Sequence, residues 1–252
     1  MAKREIALVA LTIVAMLAAM HCGGDGTLPP PRTVSTTSTA STTSAVSTAS
    51  TTAPQSIADR IRARLATCAQ VSKGLYKTDD QPSAPASVPV CELGADAVYW
   101  TADMDIDCDG VVTPRCSKKT DPAFQPGTAA ETSKGTALTA DELPYVVVPS
   151  PSATFDYRKF GLELGTVVMV IYGDKIEYGI IGDTGPKTII GEASYAMAKN
   201  LGIDPNPSTG GTDGPVLYIA FKGKAAVVKK NEDHAEAVAI GKARASAVFG
   251  AP

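Results

Sequence analysis

Residues 167–201 read VVMVIYGDKIEYGIIGDTGPKTIIGEASYAMAKNL, and this stretch decides the fold. Val167, Val168, Met169, Val170, Ile171 and Tyr172 form a β-branched apolar run, the signature of a buried strand. Gly173-Asp174 turns the chain, and Ile176, Tyr178, Ile180 and Ile181 make a second strand that ends at Gly182-Asp183-Thr184-Gly185-Pro186. After a short apolar hinge, Gly191-Glu192-Ala193-Ser194 is expected to open a helix whose apolar positions are Ala193, Ala196, Met197 and Leu201. Two carboxylates, Asp183 and Glu192, fall nine residues apart, one at a strand end and one at a helix start. Rigid elements present side chains into clefts at such places.

Working outward, residues 202–214 form a loop rich in Gly, Pro, Ser and Thr, and Val216-Leu217-Tyr218-Ile219-Ala220-Phe221 is a further strand. Residues 232–248 read as a weakly apolar closing helix, on which His234 is expected to be exposed. Upstream, Leu143-Pro144-Tyr145-Val146-Val147-Val148-Pro149 is a strand bracketed by prolines, and Thr139 with Glu142 three residues later marks a capped helical turn. Ala97-Val98-Tyr99-Trp100 is strand-like; the aromatics Tyr99, Trp100 and Tyr145 fit a core or an exposed stacking surface. Residues 56–71 carry Ile57, Ile61, Leu65 and Cys68 at helical spacing, a packing helix at the domain edge. Several strands with few helices predict a β-rich α+β fold, a compact barrel with a few peripheral helices.

The 252 residues suffice for one substantial domain plus extras. A formal charge of -3 with no basic block argues against nucleic acid as a partner. Residues 1–22 read as a signal peptide: Lys3 and Arg4, an uncharged apolar run over 6–20, then Cys22 followed by glycines, as at a lipoprotein start. Lipidation of Cys22, with membrane attachment through it, and ordinary cleavage nearby are the two readings; both imply export. Residues 23–55 form a disordered Ser/Thr/Pro-rich tether, too polar to offset its ordering entropy. Residues 56–252 remain for the folded domain, expected to be monomeric. In an exported chain, Cys68, Cys91, Cys108 and Cys116 favour two disulfides, with Cys68–Cys91 and Cys108–Cys116 the preferred pairing. Zinc is the rival; the absence of a C-x-x-C pair speaks against it, and no cofactor is expected.

The run Asp103-Met104-Asp105-Ile106-Asp107-Cys108-Asp109-Gly110 alternates four aspartates, which a strand would place on one face. Like charges so placed need an answer. A calcium loop fails because Cys116 stands where the bidentate Glu is required. A cationic substrate and a turn of backbone-bonding aspartates both remain. Among catalytic devices, a Ser/His/Asp triad lacks its base, since only His234 lies beyond the leader, and there is no nucleophile elbow, P-loop or dinucleotide fingerprint. Carboxylate chemistry is what the residues leave. Glycoside hydrolysis needs one protonated acid and one ionised partner, which Asp183 and Glu192 could supply. Taken singly, Asp183 also reads as a turn residue and Glu192 as an acid favourable to a helix dipole.

The motifs Asp103 to Gly110, Leu143-Pro144-Tyr145-Val146-Val147, Gly182-Asp183-Thr184-Gly185-Pro186 and Ile190-Gly191-Glu192-Ala193-Ser194 with Leu201-Gly202, in that order, resemble the fungal-type chitosanases of glycoside hydrolase family 75. The resemblance covers residues 97–221. It implies a double-psi-like β-barrel and an endo-acting, inverting hydrolase of β-1,4-linked glucosamine polymers, so the expected partner is chitosan or partly deacetylated chitin. It also implies that Asp183 and Glu192 are the catalytic acids; we assign Glu192 as proton donor and Asp183 as base, a division the resemblance leaves open. It gives the aspartate run a purpose, with Asp105 and Asp107 as candidates to meet the ammonium groups of the substrate. The rivals are a peptidoglycan lytic transglycosylase and a non-catalytic polysaccharide-binding surface protein.

Overall fold

The computed structural model describes residues 56–250; the leader, Cys22 and the tether over 23–55 lie outside the described residues. In chain order the strands are β1 (Ala69–Gln70), β2 (Cys91–Leu93), β3 (Ala97–Asp107), β4 (Tyr145–Pro149), β5 (Val167–Tyr172), β6 (Lys175–Gly185), β7 (Glu192–Ser194) and β8 (Thr212–Phe221). The helices are α1 (Ile57–Arg64), α2 (Tyr195–Leu201) and α3 (His234–Phe249). The sheet runs β1-β2-β3-β7-β4-β6-β5-β8 and closes on itself through a β3–β8 pairing, which makes a six-stranded barrel with β1 and β2 as an outer flap. Closure removes the unpaired edges that an open sheet would expose. Two pairs are parallel, β3–β7 and β4–β6, and the rest of the ring is antiparallel. The expected β-rich barrel with peripheral helices is what the chain forms.

Alternation along the strands sorts side chains between two cores. Inside the barrel lie Trp100 and Met104 of β3, Val146 and Val148 of β4, Ile181 of β6 and Tyr218 of β8. Trp100 and Tyr218 stack with ring centroids 5.3 Å apart. The outer face carries Tyr99, Tyr145, Val147, Met169 and Ile219, covered by α1, α3 and the long segment between β3 and β4. Tyr99, Trp100 and Tyr145 are therefore all buried, which removes them as sugar-stacking surfaces.

Two expected boundaries move. Glu192 does not open a helix: residues 192–194 pair as β7 between β3 and β4, and the helix begins at Tyr195. Ser194 is the N-cap, and its hydroxyl is a buried hub that accepts from the Met197 and Tyr145 N–H groups and donates to the Leu143 carbonyl. The Ser cap was the readable signal, since N-cap side chains satisfy the first free N–H groups of a helix. His234 is also not simply exposed: its Nε2 donates to the Tyr178 carbonyl at 3.0 Å and stands 3.3 Å from Glu177.

Both disulfides are formed in the expected pairing. Cys68–Cys91 ties the segment after α1 to β2, and Cys108–Cys116 closes the loop that leaves β3. The latter fixes the chain between Asp107 and Asp109, where the long covering segment starts.

Candidate active site

Asp105, Glu192, Val147 and Asp183 occupy one row across the sheet. Glu192 of β7 pairs with Asp105 of β3 on one side and Val147 of β4 on the other, and Val147 pairs with Asp183 of β6. Paired residues share a face, and this row points outward, away from the barrel's interior, because Val147 belongs to the outer core. Glu192 and Asp183 thus flank a single strand, with Cα atoms two strand spacings apart, about 9.5 Å.

Asp183 reaches this face through a bulge. Ile180 and Ile181 pair with Tyr145 and Val146, but Val147 pairs with Asp183, so Gly182 is an extra residue in β6. Simple alternation from the inward Ile181 would have turned Asp183 into the apolar barrel. The bulge re-aims it outward, the use to which bulges beside active sites are commonly put. Gly182 has no room for a side chain: an added Cβ would stand 2.6 Å from Tyr145 Cβ and 2.9 Å from Leu138 Cδ1.

The two carboxyls meet opposite environments. Asp183 is buried, 8% exposed, and its Oδ1 accepts two backbone N–H groups, from Ala129 at 2.8 Å and Thr184 at 2.7 Å. Burial raises its pKa above the ordinary value, and both N–H donors oppose that by favouring the ionised form. Glu192 is pushed up to about 7, foremost by burial and then by the charges of Asp105, Asp109 and Asp183. Asp109 is raised to about 6, again chiefly by burial, against the N–H of Gln125. Asp107 is raised well above the usual carboxylate range by burial, although its carboxylate accepts the Asp109 N–H at 2.7 Å.

The aspartate run does not act as one unit. Asp103, Asp105 and Asp107 share the outer face of β3, as alternation predicts, while Asp109 lies beyond the strand and its carbonyl accepts the Tyr145 hydroxyl. Asp105 is exposed beside Glu192 in the row, whereas Asp107 is half-buried one pair further along, opposite Ser194. Among the described residues, no group of three or more His, Cys, Asp or Glu side chains converges in a metal-holding geometry.

Sequence reasoning missed the contributions of Ala129, Gly182 and Gly185. A backbone N–H donor such as that of Ala129 has no residue-type signature. Gly185 stands in β6 two residues after Asp183, and an added Cβ there would lie 2.8 Å from Glu192 Oε2 and 3.1 Å from Val147 Cγ1. The Glu192 carboxyl therefore leans across Val147 toward the strand that bears Asp183. Gly185→Ala should displace that carboxyl, a mobile side-chain end, more than it disturbs packing. Expected is a fall of about tenfold in kcat with the melting temperature within about 3 °C of wild type, read by steady-state kinetics and thermal melts.

Comparison with known proteins points to one family. The family description "Fungal chitosanase of glycosyl hydrolase group 75" matches residues 104–246. An endo-chitosanase of Aspergillus oryzae is 38% identical over 146 residues, 52% of this chain and 58% of the relative. Endo-chitosanase B of the same organism is 36% identical over 151 residues, 54% and 63% of the two chains. An endo-chitosanase of Aspergillus fumigatus is 33% identical over 141 residues, 50% and 56%. The chain thus spans rather more than half the length of these curated relatives. With the family match running from the end of β3 through most of α3, over more than half of the chain and every residue of the carboxyl row, this chain belongs to glycoside hydrolase family 75.

Proposed function

We propose that the domain of residues 56–252 is an endo-acting chitosanase that cleaves β-1,4 linkages between glucosamine units with inversion. Glu192 protonates the glycosidic oxygen as the C1–O bond breaks. Asp183 takes a proton from the water whose oxygen bonds to C1 from the opposite face of the ring. Atoms balance as one water consumed and two shorter chains released. The observation that carries this reading is the shared row: two carboxyls on one outward face, astride Val147. The separation that inverting enzymes need to seat a water is about 6.5–9.5 Å, compatible with that spacing. Their surroundings support the division of labour. Asp183 accepts two N–H bonds that favour its charge, and Glu192 holds its proton to about pH 7. The names of the relatives point to the same substrate class.

Asp105, exposed next to Glu192, is the nearer to solvent of the two expected contacts to a substrate ammonium group; the Asp107 carboxyl, half-buried and raised by burial, accepts the Asp109 N–H. Asp105→Asn should raise KM for chitosan about fivefold and leave the melting temperature within about 2 °C, since the side chain faces solvent. A wild-type KM with a lowered melting temperature would assign Asp105 to structure.

The signal peptide, the tether over 23–55 and lipidation of Cys22 belong to the same proposal, of an exported enzyme held at or released from the cell envelope. Two disulfides within the domain support export. The deciding experiment follows reducing ends and product sizes from chitosan, with bacterial sacculi in a parallel arm, and reads the first-formed anomer by proton NMR. Rapid shortening of chitosan with α-anomers formed first is expected. Release from sacculi alone, or binding to chitosan without any cleavage, would overturn the reading.

A further inference from the structure

Asp103 stands on the outer face of β3, two residues before Asp105, and takes no part in the chemistry above. Its Oδ1 is buried and has no hydrogen-bond partner. That oxygen lies 2.1 Å from the point where a Cβ on Gly191 would stand, so the carboxyl is packed directly against the bare Cα of Gly191. Gly191 has φ +116°, a conformation that side chains rarely adopt, and its carbonyl accepts the Asp105 N–H at 2.8 Å. Glu192 is the next residue. The Asp103 carboxyl, the Gly191 turn and the Asp105 backbone therefore form one packed unit immediately ahead of Glu192.

The charged groups that face Asp103 are acidic, Asp105 on its own strand, Glu192 on β7 and Asp213 on β8, and the titratable Tyr218 of β8, raised by burial and by the Asp103 charge, donates its hydroxyl to the Asp103 carbonyl at 2.7 Å. None of the ion pairs among the described residues includes it. An ionised carboxylate there would be buried, partly unsatisfied and repelled from three sides, whereas the neutral acid carries none of that electrostatic cost. We propose that Asp103 is a positioning residue for Glu192: its protonated carboxyl packs under Gly191 and fixes the turn that presents Glu192, and loss of that proton unseats the turn. The proposal rests on the reading of Glu192 as proton donor. In support, burial foremost and then Asp105 push the Asp103 carboxyl up to about 8, against a pull downward from its own backbone N–H.

Two measurements test it. The first is the pH profile of kcat on a soluble glucosamine hexamer for wild type, Asp103→Asn and Asp103→Ala. Wild type should fall about tenfold per pH unit just above 7 and then drop by up to about a further tenfold in total as pH passes 8, because Asp103 then loses its proton as well. Asp103→Asn, isosteric and unable to ionise, should keep the rate at pH 6 within about twofold and never steepen. Asp103→Ala should lose about tenfold in kcat with KM unchanged. Superimposable profiles for wild type and Asp103→Asn would overturn the proposal, as would a wild-type kcat in Asp103→Ala. The second measurement needs no activity: in a two-dimensional NMR titration the Gly191 backbone amide signal should show a step near pH 7 from its neighbour Glu192 and, in wild type, a second step near pH 8 that is lost in Asp103→Asn. A wild-type Gly191 signal without the second step counts against Asp103. A silent hexamer assay with that second step present counts instead against the chitosanase reading.

Discussion

Glu192→Gln lowers kcat on soluble glucosamine oligomers about 10³-fold while KM stays within about twofold, because positioned general acids contribute about 10²–10⁴ and act only in the transition state. That loss corresponds to about 4 kcal/mol of barrier. The pH dependence gives the sign. Glu192 must be protonated to act, and it loses its proton as pH rises through about 7, so the wild-type rate falls on the alkaline side from there. Asp183 must be ionised, and it gains a proton as pH falls through a value raised above 3.8, so the rate falls on the acid side earlier than an ordinary aspartate would dictate. Residual turnover in Glu192→Gln should lose the descent near pH 7. Asp183→Asn should be crippled to a similar degree and lose the acid limb. Neither amide variant should melt below wild type by more than a few degrees, since each amide nearly matches its acid in volume and shape. Activity of either variant within tenfold of wild type, with the fold intact, would end the assignment.

The second large effect is expected at Gly182. A methyl group there would stand 2.6 Å from Tyr145 Cβ, 2.7 Å from Tyr145 Cγ and 2.9 Å from Leu138 Cδ1, all inside the packed outer core. None of these is the loose end of a flexible chain, so strand β6 must move instead. Gly182→Ala should cost about 1–3 kcal/mol, the usual range for overpacking, and lower the melting temperature by about 2–12 °C. It should also reduce kcat at least tenfold, since the displaced bulge is what turns Asp183 toward Glu192. Gly127→Ala is the control, because a Cβ there meets nothing within 4 Å, and it should melt and turn over like wild type. A Gly182→Ala enzyme with wild-type kcat would separate the bulge from the chemistry.

How much of this was legible in the chain can be judged at particular residues. The β-branched run of β5 and the alternation of β6 announced a hairpin, and the apolar segments at 143–149 and 216–221 announced further strands, because burial patterning is written in residue type. Spacing and compartment favoured one disulfide pairing of three, and the fold chose it. Asp183 and Glu192 stood out by chemistry and by family motif. Where sequence reasoning slipped, the reason was local: three residues of strand, 192–194, are too short to display a period, and their Ser194 cap belongs to the helix that follows.

The sequence by itself determined the composition of the barrel's two cores, the pool of carboxyls available for chemistry and the family to which the chain belongs. Only the tertiary structure decided which carboxyls meet. Strand register is a long-range property: one extra residue at Gly182 inverts the facing of Asp183, and the pairing of β7 with both β3 and β4 brings Asp105 and Glu192 into one row with it. The environment of each acid is likewise assembled from distant segments, the Ala129 N–H on Asp183 and the Gly191 turn over Asp103. A proton affinity is set by burial and by neighbours in space, and neither is encoded at the position of the residue that carries the proton.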